Sequence, residues 1–260
     1  MSNFFVALYA VLPMFIMLAI GFTVRKMKVI EEAHLPVLNK IVFNVFFPFL
    51  MFNNIYAFDL SADFNASLLL YAVVAVAVIY GLSVGFALIF EKSNKSRGAL
   101  IQAIYRSNFV LMGLPIVGNI FGSGRLGMTS MLVTVIVPMY NILAVITLEV
   151  FRGESIKITK ILKGIVTNPL IIGSVAGILF AVFGIKLPEI AESVISDMAS
   201  AATPLALIVL GASFEFASIK RYKKNLIAVI FARLIIVPAI SLSAVSYTHL
   251  RAHETAANLV

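Results

Sequence analysis

Eight stretches of this 260-residue chain are almost continuously apolar: 4–24, 38–56, 66–90, 99–122, 126–150, 165–185, 194–214 and 226–245. A helix rising 1.5 Å per residue needs about 20 apolar residues to cross roughly 30 Å of hydrocarbon, so each stretch predicts a membrane-spanning α-helix. None alternates with period two, which argues against a closed barrel. The first stretch lacks a basic n-region and runs without a small-residue cleavage site into Arg25-Lys26-Met27-Lys28, so it reads as a retained helix and not a signal peptide. The expected fold class is an all-α integral membrane protein.

Composition sharpens that expectation. Hydrophobic residues make up 61% of the chain and charged ones 12%, with a mean hydropathy of +1.04. A soluble globule of this size could not hide so much apolar surface. That sets aside soluble enzymes and nucleic-acid binders, despite a net charge of +8. The basic residues instead mark topology. Arg25, Lys26, Lys28 and Lys40 follow the first span, and Lys92, Lys95 and Arg97 the third. Arg152, Lys157, Lys160 and Lys163 follow the fifth, and Lys220, Arg221, Lys223 and Lys224 the seventh. The opposite side holds only Arg125 and Lys186 before the tail. The positive-inside rule then places the N-terminus outside and these loops in the cytoplasm, in a plasma or inner membrane. There is no Cys, which excludes disulfides, thiol nucleophiles and Cys-ligated metals.

Five spans precede the basic segment 151–164 and three follow it. Five helices per half start the second half from the opposite membrane face, the condition for an inverted repeat. Pro48 in the second span and Pro204 in the seventh occupy comparable positions. The expected organisation is a first repeat over 1–150, a cytoplasmic linker over 151–164, an incomplete second repeat over 165–245 with eight of ten helices present, and a non-native tail over 246–260. The tail carries His249 and His253 at i, i+4 spacing, which could suggest a metal site, but it resembles translated adapter read-through.

The fourth span carries the chemistry. Asn108 lies about 15 Å in from Gly98, near the bilayer midplane. Pro115 removes a backbone donor and Gly113 tolerates unusual dihedrals, so together they predict an interruption there. Such breaks persist where protein or a wet cavity surrounds them, and a half-helix N-terminus suits an anionic group. A plain proline kink is the competing reading. Arg106, about 12 Å into the apolar region, is a functional candidate. Snorkelling is the alternative for it, and equally for Arg233 in the eighth span. Asp197, Glu215 and Glu149 all sit near span ends, leaving no carboxylate at mid-depth for a cation relay. Asn44, Asn53, Asn54, Gln102, Asn141 and Asn168 are the other polar positions, each more simply an interhelical hydrogen bond than a ligand. Asn141 follows Pro138 in the fifth span, and Asn168-Pro169 opens the sixth, where Pro is an ordinary helix starter. No catalytic triad, zinc motif or phosphate loop is present, so neither an enzyme nor a cofactor is expected.

The run Asn108-Phe109-Val110-Leu111-Met112-Gly113-Leu114-Pro115, with Asn168-Pro169-Leu170-Ile171 and Pro204-Leu205-Ala206-Leu207 followed by Gly211-Ala212, resembles the auxin efflux carrier family over about residues 1–245. The resemblance implies ten helices in two inverted repeats, with the fourth and ninth crossing at proline breaks beside the substrate carboxylate. It also implies an elevator-like motion of spans 3–5 and 8–10 against spans 1, 2, 6 and 7. Asn108 matches the family's substrate-contacting Asn and Pro115 its crossover proline. The expected activity is secondary transport of small organic anions such as malate, malonate or auxin-like acids. The candidate substrate-binding residues are Asn108, Met112, Gly113, Pro115, Arg106, Asn141 and Asn44. The expected partners are that anion and the lipid bilayer; a homodimer is left open, and no nucleic acid or metal is expected. A sodium-coupled carrier of the bile-acid-transporter type and a non-transporting membrane receptor are the alternatives.

Overall fold

The computed structural model describes residues 3–56, 66–107, 126–152 and 158–243. Every element among them is helical: α1 (Asn3–Lys26), α2 (Leu35–Ile41), α3 (Phe47–Tyr56), α4 (Ala66–Phe90), α5 (Asn94–Tyr105), α6 (Leu126–Val150), α7 (Ile158–Val166), α8 (Pro169–Val182), α9 (Glu189–Ala212), α10 (Phe216–Arg221) and α11 (Lys223–Phe231). Among the described residues five helices are long and apolar enough to cross a membrane: Glu32–Tyr56, Ala66–Phe90, Met131–Val150, Glu189–Ala212 and Lys223–Ser243. The pair α7 and α8 makes a sixth span if taken together, bent by 57°. Leu70, Val74, Val78 and Leu82 form an exposed apolar stripe at i, i+4 spacing along α4, a face suited to lipid.

Among the described residues two spans carry a π turn, each just ahead of a proline. A π turn over Val42–Phe46 separates α2 from α3 and lies just ahead of Pro48. Pro48 has no N–H to offer the carbonyl four residues back, and its ring crowds that carbonyl. Phe47 bonds instead to the Val42 carbonyl, five residues back. The same arrangement recurs after α11, where a π turn over Ala232–Ile236 precedes Pro238 and Val237 bonds to the Ala232 carbonyl.

The sixth span differs from its expected form. Residues 158–164, expected within a linker loop, begin the amphipathic helix α7, which exposes Ile158, Leu162 and Val166 on one face and carries Lys160 and Lys163 on the other. Asn168 ends it and starts the next helix. Its Oδ1 accepts from the backbone N–H of Leu170 (3.0 Å) and Ile171 (3.4 Å), and Pro169 takes the first helical position. Asn168 therefore works as a cap and makes no interhelical bond of the kind expected. Buried hydroxyls are likewise satisfied locally: Ser83, Thr147 and Ser174 donate to the Ile79, Leu143 and Leu170 carbonyls one turn back.

The chain divides into two compact units. The first draws on Met1–Ala72, Asn108–Val150 and Ser155–Glu215, the second on Val73–Ser107, Phe151–Glu154 and Phe216–Val260. In the first, α1 packs on α9 and α3 on α8, with α9 also against α3. Glycines bring the backbones together. A Cβ on Gly21 of α1 would run into the Ile208 carbonyl of α9, and one on Gly177 of α8 would lie 2.9 Å from the Phe52 carbonyl of α3. The same number of residues separates Gly21 from Gly177, Phe52 from Ile208 and Pro48 from Pro204. One glycine-to-carbonyl contact is thus made twice, with the partners exchanged. Phe180 completes this core, meeting Phe52 edge-on at 5.3 Å and Tyr56 at 6.3 Å between ring centroids. In the second unit, Tyr80 of α4 stands edge-on to Tyr105 of α5 at 5.1 Å.

Candidate functional site

The first half of the fourth span is short. Helix α5 has 12 residues and ends at Tyr105, about 18 Å from its start. Arg106 follows in extended conformation (φ −76°, ψ 111°), its N–H still reaching the Gln102 carbonyl at 3.1 Å. The regular helix stops well ahead of Gly113 and Pro115, the residues expected to break it. Ser107 and Asn108 are residue types that compete for backbone hydrogen bonds, a local signal for ending a helix that proline overshadowed. Asn108, Met112, Gly113 and Pro115 themselves lie outside the described residues.

The described candidates fall in different places. Arg106 is exposed at the end of α5. Asn141 of α6 is buried, 3% exposed, with its Nδ2 3.8 Å from the Met51 sulfur of α3. Asn44 sits in the first π turn and donates to the Lys40 carbonyl at 2.8 Å. It also lines an open cavity of about 500 Å³ with Asn39, Lys40, Phe47, Ala206 and Leu210. Within their shared unit, Asn44 precedes Met51 by about two helical turns along the same span, so the Asn44 and Asn141 amides sit at different levels of it.

Polar work inside the second unit falls to Arg233 and Arg97, expected as a snorkelling cation and a topology marker, and to Glu91 and Asn225. Arg233, in the second π turn, donates from Nη1 to the Ile104 carbonyl at 2.9 Å, in the last turn of α5. Near the chain's entry to that span, Asn225 donates to Glu91 Oε2 at 2.6 Å. The other Glu91 oxygen accepts from the N–H groups of Lys92 (2.8 Å) and Ser93 (2.9 Å). The Ser93 N–H above all, then the Asn225 amide, hold the Glu91 carboxyl below the usual carboxylate range. Arg97 closes the end of α4, donating from Nε to the Glu91 carbonyl (2.6 Å) and from Nη2 to the Leu88 carbonyl (3.3 Å).

The first unit uses the same device. Arg25 donates to the Ala212 carbonyl at the end of α9 (2.9 Å) and pairs with Glu32 at 3.3 Å. In each case a guanidinium meets helix-end carbonyls that have no intrahelical partner, where the macrodipole is negative. Sequence supplied the three cations; the carbonyl each one meets depends on chain geometry.

Comparison with known proteins places these features in a family. A family model described as membrane transport protein matches residues 6–260. The chain is also 26% identical over 243 residues to an uncharacterized transporter of Methanothermobacter thermautotrophicus, covering 91% of this chain and 77% of that protein.

Proposed function

Because the chain belongs to the membrane transport protein family, the auxin efflux carriers that its fourth-span motif resembles, we propose that it is a secondary carrier for small organic anions, chiefly carboxylates and dicarboxylates. The observation that carries this reading is the end of α5 at Tyr105, part-way through an apolar span and immediately before the Asn108–Pro115 motif. A chain that leaves helical geometry at that depth needs a protein or wet surrounding, and an amide such as that of Asn108 is a fitting receptor for a carboxylate.

The proposal extends to an inverted repeat. The exchanged contacts Gly21–Ile208 and Gly177–Phe52, with the equal offset of Pro48 and Pro204, are what two halves related by a pseudo-two-fold axis would produce. The division into units supports an elevator motion in part. Spans 1, 2, 6 and 7 group together, while span 3 from Val73 onward, span 4 up to Ser107 and span 8 group apart. Helix α6, which the family resemblance assigns to the moving bundle, groups with the first set. The N-terminus is proposed to lie outside.

Counterflow in proteoliposomes with a panel of labelled carboxylates tests the function. Exchange of one of them is the expected result, with Asn108→Ala weakening its binding about 10- to 150-fold through loss of a hydrogen bond to a charged partner. Wild-type binding in detergent without any flux would make the chain a receptor instead. Unchanged affinity in well-folded Asn108→Ala would remove that amide from the site.

A further inference from the structure

The contact between Arg233 and Ile104 has a role beyond tying two helices together. Helix α5 ends inside an apolar span, so its last carbonyls place the negative end of the helix dipole part-way through it. In carriers with interrupted helices, carbonyls of this kind are where a coupling alkali cation binds. Here a guanidinium reaches one of them: Arg233 Nη1 lies 2.9 Å from the Ile104 oxygen. Ile104 is 4% exposed. The neighbouring cavity of about 200 Å³ is walled by Ile79, Phe86, Ile104, Ala232 and Ile236, an apolar setting in which a charge-assisted bond is little screened. The π turn ahead of Pro238 holds Arg233 at this level of the span, since Pro238 is what loosens the helix there.

Resting on the carrier reading above, we propose that Arg233 is a tethered cation standing where an ion-coupled carrier would bind its alkali ion, so that this chain works without sodium. A guanidinium on a side chain is always charged and always present. It stabilises the broken helix end in every state of the cycle and carries no ion across. The same feature separates this chain from the sodium-coupled alternative.

The test measures the unfolding midpoint of the purified full chain in sodium chloride against choline chloride at equal ionic strength. The wild type should unfold at the same temperature in both. Arg233→Ala should unfold earlier in choline and recover saturably with sodium or lithium, by about 2–4 °C once the ion exceeds its Kd several-fold. Arg233→Gln keeps a donor for the Ile104 carbonyl but no charge, and should show the same ion response even where the alanine variant does not fold. Arg233→Lys keeps the charge and should stay insensitive to the ion. A wild-type midpoint that climbs saturably with sodium would overturn the proposal, and so would neutral variants that respond to no cation. Flux is read separately by counterflow. Ion-responsive neutral variants in a chain that exchanges no carboxylate would retire the carrier reading alone. Exchange that requires sodium in the wild type would retire the tethered cation alone.

Discussion

Glu91 is the residue whose chemistry is most open to measurement, because it lies just past α4 and outside the apolar spans. Its carboxylate accepts from two backbone N–H groups and from Asn225, and these bonds favour the charged form. A carboxyl held below its ordinary value in the folded chain stabilises that chain above the ordinary value. The contribution fades as pH falls through the lowered one. Wild type should therefore unfold at a higher temperature than Glu91→Gln at pH 7, and the gap should close as pH falls through and below the carboxylate range. A gap that stays constant down to pH 3 would show that the bonds owe nothing to charge. That Glu91 and Asn225 meet was not legible in the sequence, where each is one of several polar residues in a loop at the edge of an apolar run. Arg25 and Arg233 illustrate the same gap. Their positions imply either a loop cation or a snorkelling one, and a bond to a carbonyl over a hundred residues away leaves no trace in local pattern.

At the scale of elements, the apolar runs within the described residues translated into helices because backbone in hydrocarbon must satisfy itself internally. Ala66–Phe90 and Leu126–Val150 match the expected spans end for end. Departures occur where a side chain offers the backbone another partner or proline withdraws one. Pro48 and Pro238 set the two π turns, Asn168 divides the sixth span, and α5 stops before Ser107-Asn108 instead of at Pro115. The glycines were visible as residues but not as contacts, since glycine is common in membrane helices and only the packed backbone says which one is needed. They separate cleanly under substitution. Gly21→Ala would push a methyl into the Ile208 carbonyl, which is backbone and cannot swing away, for a loss of about 1–3 kcal/mol. Gly81 of α4 has open space around it, so Gly81→Ala should be neutral or stabilise slightly through helix propensity. Thermal unfolding of the two variants side by side decides the matter: equal midpoints would mean that α1 and α9 do not approach as closely as the contact implies.

For the whole molecule, orientation is the property that sequence states most directly and that packing says least about. The proposed orientation rests on the excess of Lys and Arg in alternate loops, and a chain without cysteine allows each loop to be tagged alone. Ser93→Cys should be reached by an impermeant thiol reagent only after cells are opened, and Ser123→Cys in intact cells. Labelling of Ser93→Cys from outside would invert the topology and, with it, the side from which α5 enters. The family assignment was legible from the Asn108–Pro115 run, because an Asn followed by Gly113 and Pro115 stands out within an apolar span. The grouping of α6 with the first unit was not, since a continuously apolar helix can pack on either neighbour.

The bend between α7 and α8 bears on the membrane as well as on the chain. Helix α8 has 14 residues and covers about 21 Å, against roughly 30 Å of hydrocarbon. Helix α7 adds to that length only obliquely, since it turns by 57°, and its exposed Ile158, Leu162 and Val166 suit it to the interface. A crossing helix that short, pinned at one end by a surface helix, draws the lipid headgroups toward it, because exposing apolar side chains or stranding polar ends is worse than compressing the acyl chains. The bilayer beside α8 should thus be thinner than the bulk, and any solute moving past this part of the protein meets a correspondingly shorter hydrophobic barrier.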